Sequence, residues 1–287
     1  MSAAIEVINK TRFAFGDNWQ EFYQRINDER INVAVDSLQN LFEIDDFNGN
    51  RFIDVGCGSG LFSLAALRLD AVVRSFDYDA NSIACSEKLK EHHGNDENWQ
   101  IERGSILDQN FVEHLGKYDY VYSWGVLHHT GEMFRAVEST MQLVRPGGKI
   151  CVALYNDQGT RSRVWLRIKK LYNELPEFMR PALLALCCVR LWGPTTLKDI
   201  LRFRPFETWN EYANNSIRGM SPWHDLVDWV GGLPFEVAKP EVIFDLFRRN
   251  GFELQKLSTC GGGHGCNQYV FQAPGCLDEN AVGGTDP

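Results

Sequence analysis

The chain has 287 residues, 44% of them hydrophobic and 23% charged, with a net charge of −9. That composition is ordinary for a globular protein, and the acidic balance excludes a general nucleic-acid binder, whose affinity rests on neutralising phosphates. The longest strongly apolar window, Pro181–Trp192, is too short and too basic to span a bilayer.

The first residues lack a basic start followed by an apolar run, so no secretory signal is read there and a cytoplasmic location is expected. The eight cysteines include no C-x-x-C pair and are expected to be reduced. Residues 1–49, with Phe13, Phe15, Trp19 and Phe22, are read as a helical cover over the mouth of a ligand site.

From residue 50 to 156 short apolar runs alternate with helical patterns, the signature of a parallel sheet wound with helices. "RFIDVG" predicts a first strand and "GLFSLAALRLD" the helix after it; "AVVRSFD" and "ANSIACSEKLKEHH" repeat the pair. "WQIERGSI" is a third strand and "YDYVYSW" a fourth, followed by the helix "GEMFRAVESTMQLV". "RPGG" reads as a turn before the fifth strand "KICVALY". Residues 157–235 change character, with helices over Arg161–Tyr172 and Pro181–Trp192, Pro194 and Pro205 as punctuation, and a Trp-rich stretch beyond. Residues 236–273 return to sheet material: the helix "KPEVIFDLFRRNG" and the strands "FELQKLST" and "NQYVFQA"; 274–287 reads as a loose tail. The expected fold is α/β, a doubly wound, mostly parallel seven-stranded Rossmann-like sheet with a mainly helical insertion between the fifth strand and the last helix.

In such sheets ligands bind outside the carboxyl ends of the strands, and here each strand ends in ligand-type residues. Gly56, Gly58 and Gly60 follow the first and let backbone N–H groups approach a polar ligand. Asp77 ends the second, 21 residues after Gly56, where a ribose diol is held in such folds. Asp108 follows the third, beside Ile106 and Leu107, as an acceptor for an adenine amine; Asp77 or Asp79 could instead be a helix cap. Trp124, His128 and His129 follow the fourth strand, and Tyr155 and Asn156 the fifth. A dinucleotide fingerprint would need a third glycine at position 61, which is Leu61.

Taken together, "VGCGSG", "FDYD", "GSILD", "WGVLHHTG" and "LVRPGGKICVALYN" resemble the class I S-adenosylmethionine-dependent methyltransferases, most of all the ubiquinone/menaquinone-type and natural-product branch acting on small molecules. The resemblance implies S-adenosyl-L-methionine as cofactor. It puts Gly56, Gly58 and Gly60 around its methionine moiety, Asp77 on the ribose, and Asp108, Ile106 and Leu107 around adenine. Trp124 and Tyr155 are candidates to face the sulfonium, since a cation is drawn to ring faces. His129, with His128 as alternate, is the candidate base or positioning residue for an O- or N-methylated small-molecule acceptor.

The insertion is read as the lid that chooses the acceptor. Tyr155, Asn156, Trp223, His224, Trp229 and His264 are its candidate contacts, with anchoring of the lid on the sheet as the competing role for both tryptophans. Cys260, His264 and Cys266 lack a fourth ligand for zinc, so no metal is expected. Between Thr160 and Pro205 stand ten basic and three acidic residues, a segment of +7. It reads as a solvated helical face or as an attraction for an anionic substrate or a membrane surface. Two further readings stand beside the small-molecule enzyme: a methyltransferase for a membrane-associated or macromolecular acceptor, and a binding protein that keeps the cofactor pocket without catalysis.

Overall fold

A computed structural model describes residues 26–93, 97–215 and 222–275. The expected cover residues Phe13, Phe15, Trp19 and Phe22, and the tail from 276 onward, lie outside the described residues. In chain order the elements are α1 (Asp28–Phe42), β1 (Arg51–Val55), α2 (Leu61–Arg68), β2 (Val72–Asp77), α3 (Ala80–His92), β3 (Trp99–Arg103), α4 (Gln109–Leu115), β4 (Tyr118–Trp124), α5 (Met133–Met141) and β5 (Val144–Tyr155). The helices α6 (Thr160–Glu174), α7 (Arg180–Leu201), α8 (Glu207–Asn215) and α9 (Pro222–Gly231) follow, then α10 (Pro240–Arg249), β6 (Glu253–Ser258) and β7 (Cys266–Gln272).

The seven strands form one sheet in the order β3-β2-β1-β4-β5-β7-β6. The first five pair in parallel, while β7 runs antiparallel to both β5 and β6. The strand order reverses between β1 and β4, which opens a crevice at their carboxyl ends. Because side chains alternate along a strand, the sheet buries two separate apolar layers. Ile53, Val55, Val121, Ile150 and Val152 pack with α5 and α10 through Val137, Ile243 and Phe247. Phe52, Tyr122 and Cys151 face the other way and pack with Leu38, Phe42 and Leu64 of α1 and α2.

Two expectations fail locally. "RPGG" is not a turn before the fifth strand but the beginning of β5, with Val144 paired to Tyr118 and a register shift before Tyr120. Gly147, at φ +74°, lets the strand jog without leaving the sheet. Pro194 does not end a helix but lies inside the 22-residue α7; the break it threatens is a single missing N–H. Helices α6, α7 and α9 bury a third apolar cluster, formed by Trp165, Tyr172, Leu184, Cys187, Leu226 and Val230 with Phe235. That cluster meets the sheet end at Tyr155.

Candidate active site

The chain must turn sharply where β1 ends. Gly56 N and Cys57 N both donate to Phe76 O at 2.9 and 3.1 Å, tying the turn to the neighbouring strand. Gly56 sits at φ +80°, and a Cβ there would overlap the Val126 isopropyl group. The turn is therefore closed to side chains by conformation and by space. Asp77 at the end of β2 completes it: Oδ2 accepts from Gly58 N at 3.0 Å and Oδ1 from Asp79 N at 2.9 Å. One carboxylate thus fixes both loops.

These loops open onto a cavity of about 540 Å³ along the carboxyl ends of β1 to β5, a size suited to a cofactor-sized ligand. One end is made by Gly56, Gly58, Asp77 and Asp79; the apolar side by Phe76, Ile106 and Leu107; the far end by Trp124, His129, Tyr155 and Asp228. Four carboxyl groups (Asp54, Asp77, Asp79, Asp228) and one guanidinium, Arg103, line it. Asp54 reaches it from inside β1, where burial pushes its carboxyl up to about 7 despite a 2.7 Å hydrogen bond from Ser63 Oγ; the nearby Asp77 charge adds to the rise.

His129 sits in a short 3-10 turn after β4, Leu127–His129, and is nearly buried. Its Nδ1 lies 2.6 Å from Pro234 O. A carbonyl can only accept, so Nδ1 carries the proton and Nε2 is the basic nitrogen of the neutral ring. Tyr155 stands beside it, with ring centroids 5.3 Å apart at 86°. Tyr155 in turn meets Trp229 and Phe235 at 5.2 and 5.5 Å.

The cavity brings together ten expected residues or neighbours of them: Gly56, Gly58, Asp77, Ile106, Leu107, Trp124, His129, Tyr155, and also Asp79 and Asp228. It leaves others out. Asp108 caps α4, accepting from Asn110 N and Phe111 N at 3.1 and 3.4 Å, and does not line the cavity. Gly60 is the N-terminal cap of α2 at φ +80°, packed so closely that a Cβ would lie 2.8 Å from Ser86 Oγ. His128 is fully buried behind the wall; its Nδ1 accepts from Tyr155 N at 3.3 Å, and its ring stacks on Tyr155 at 3.7 Å. It braces the strand end and is not an alternate base. Asn156 pairs with Ala238 in an isolated bridge, and its side chain joins Asn267.

In the insertion, Trp223 is exposed and stands off the cavity, and the His224 side chain is outside the described residues. Trp229 packs behind Tyr155 rather than lining the wall. His264 accepts from Trp165 Nε1 at 2.7 Å, and the glycine loop around it receives Gln158 Nε2 on Gly262 O at 3.0 Å. That loop therefore braces the start of α6 instead of reaching the site. Cys260 Sγ points to Gly263 O, and among the described residues no group of three or more His, Cys, Asp or Glu side chains is arranged for a metal ion. Asp54, Phe62, Ser105, Tyr122 and Arg103 also line the cavity and were not singled out in the sequence. Asp54 alone had a signal, a carboxylate inside an apolar strand.

Residues 53–150 match the family model of a methyltransferase domain. Residues 53–150 are a methyltransferase domain by that match. A ubiquinone biosynthesis O-methyltransferase from Cronobacter sakazakii is 26% identical to the chain over 169 residues, covering 55% of this chain and 65% of that protein. The enzyme of the same name from Escherichia coli O7:K1 is 25% identical over 170 residues with the same coverage. The chain thus spans 65% of the length of these curated relatives. A solved magnesium protoporphyrin IX methyltransferase from Synechocystis PCC 6803, with bound SAH, shares the fold. Its TM-score is 0.54 at 17% identity, over 94% of this chain and 99% of that one.

The donor set of the methyltransferase domain fits its cofactor. Asp77 and Asp79 offer carboxylate acceptors suited to a ribose diol, Phe76, Ile106 and Leu107 an apolar slot for a base, and the Gly56–Ser59 turn a backbone edge. The acidic balance of the lining and the ring of Trp124 suit the positive sulfonium.

Proposed function

We propose that the protein transfers a methyl group from S-adenosylmethionine to an oxygen or nitrogen atom of a small-molecule acceptor, with His129 as the base. The observation that carries this reading is the His129 ring: nearly buried, on the cavity wall, with Nδ1 committed to Pro234 O and Nε2 left basic. The bound cofactor supplies a methyl carbon on a sulfonium, so the leaving group needs no further activation. The chain's work is to orient the acceptor, exclude water and take up a proton. Nε2 would take up the acceptor's proton as the methyl group passes to the acceptor, the methyl–sulfur bond breaking and the cofactor sulfur leaving as a neutral thioether. The resulting imidazolium is stabilised through Nδ1–H by the Pro234 carbonyl. Tyr155 and Trp124 wall the acceptor end, with Asp228 entering from α9.

The test is His129→Ala, assayed by S-adenosylhomocysteine release over a panel of phenolic, hydroxylated and amine acceptors. Turnover should fall by about 100-fold or more, while cofactor binding measured by calorimetry stays within about twofold. Wild-type turnover in the variant would remove His129 from the chemistry. Failure of the wild type to bind the cofactor at all would remove the methyl-transfer reading itself.

A further inference from the structure

Helix α7 presents an exposed apolar face. Leu186 and Val189 are 69% and 71% exposed, and Leu197 and Ile200 are exposed as well. At 100° per residue these four fall within an arc of about 80° along a stretch of about 21 Å, so they form one stripe. The stripe is bracketed by two phenyl rings in solvent, Phe178 just before the helix at 82% exposure and Phe203 just after it at 92%. Phe203 holds a positive φ of +60°, a backbone conformation rare for a bulky side chain.

The segment that carries this stripe is basic. Arg190, beside the stripe, and Lys198 and Arg202 lie exposed on α7 or in the turn after it, Arg204 pairs with Glu207, and Arg161, Arg163, Arg167 and Lys170 are exposed on α6 against Glu174 and Glu177. The one acidic residue of α7, Asp199, is turned inward, where its carboxylate accepts from Thr208 N and Thr208 Oγ1 at 2.9 and 2.8 Å. No described helix is long and apolar enough to cross a membrane. An apolar stripe with aromatic ends, on a segment rich in arginine and lysine, is what lets a helix lie in a bilayer surface, its basic stems reaching up to anionic headgroups.

We propose that α7 docks the protein on an anionic membrane surface, with Leu186, Val189, Leu197, Ile200, Phe178 and Phe203 inserted at the headgroup boundary. Charge complementarity decides the occupant. A second copy seated on the same stripe would bring two clusters of exposed cations against each other, whereas an anionic leaflet neutralises them.

The test is flotation of the full chain with vesicles of 30% phosphatidylglycerol in phosphatidylcholine, against vesicles of phosphatidylcholine alone, in 50 mM and 500 mM salt. The neutral variant Leu186→Ser/Leu197→Ser/Phe203→Ser removes apolar insertion without changing charge, and circular dichroism checks its fold. Light scattering follows oligomeric state. Binding to the anionic vesicles should be at least tenfold tighter than to the neutral ones, and should weaken at high salt. The triple variant should lose at least tenfold. The proposal is overturned by absent binding to anionic vesicles in low salt, by equal binding to both vesicles, or by a folded triple variant that binds like the wild type. It is equally overturned by a dimer that the triple variant abolishes while vesicle binding persists. None of these readouts depends on methyl transfer.

Discussion

Lys169 of α6 is fully buried, a rare situation for a lysine. Its Nζ donates to the Trp229 carbonyl and lies 4.8 and 4.7 Å from the ring centroids of Trp229 and Phe235. Burial lowers its pKa from 10.5 to about 7, with the Asp228 charge and the Cys187 thiol opposing the drop. Below pH 7 the ammonium is charged in both the folded and unfolded chain, and the full cost of burying it is present. Holding the proton only up to about 7 instead of 10.5 corresponds to about 5 kcal/mol. Between pH 7 and 10.5 the unfolded chain binds the proton and the folded chain has released it, so stability rises with pH and the cost fades. Lys169→Met keeps the volume and removes the titration. Urea unfolding followed by tryptophan fluorescence should find the variant more stable than wild type at pH 6. Its advantage should shrink by about 2.7 kcal/mol by pH 9. The other titrating groups are common to both proteins and cancel in the difference, apart from Asp228 and Cys187, which interact with the amine. Parallel stability–pH curves would refute the reasoning, because they would mean the buried amine carries no proton-linked cost.

Asp54 makes the opposite prediction. Its folded-state pKa is raised from 3.8 to about 7, so the folded chain holds a proton that the unfolded chain releases between those values. Stability contributed by this group is present below pH 3.8 and lost as pH rises through 7, by about 4 kcal/mol in total. Asp54→Asn should flatten that fall in denaturation curves from pH 4 to 8, and an unchanged slope would contradict it. Gly56→Ala should destabilise the chain by about 2–4 kcal/mol, from left-handed strain and overlap with Val126. Adding Val126→Ala should recover the overlap part in thermal melts, and no recovery would show that the packing argument is wrong.

The sharp turn after β1 and its tie to Asp77 were legible because their causes are local. A strand that ends in glycines leaves few alternatives, and Asp77 sits where a neighbouring strand must end. Asp108 shows the limit of that reasoning: an aspartate between a strand and a helix satisfies a cap as readily as a ligand, and here the α4 amides take it. His128 and His129 differ by one residue, but only the 3-10 turn decides which ring enters the cavity and which goes under Tyr155. In the insertion the aromatic content of "SPWHDLVDW" was visible, whereas its register against the sheet was not. Asp228 reaches the wall, Trp223 stays in solvent and Trp229 packs behind Tyr155. Those positions depend on how α6, α7 and α9 pack together, a set of contacts distant in sequence. The glycine loop around His264 was misread for the same reason: its partners, Gln158 and Trp165, lie about a hundred residues away.

The third apolar cluster, the one shared by α6, α7 and α9, has a consequence for descent. Its side chains interlock with one another and meet the sheet end at Tyr155. Substitutions inside that cluster can tilt α9, and with it Asp228, without disturbing the Gly56–Asp77 turn that is tied to β1 and β2. On the proposed function, a lineage carrying this arrangement can try new acceptors by drift in one cluster while the turn after β1 is inherited unchanged. Two rates of sequence divergence, slow at the sheet end and fast across residues 160–231, are what such an architecture would leave behind.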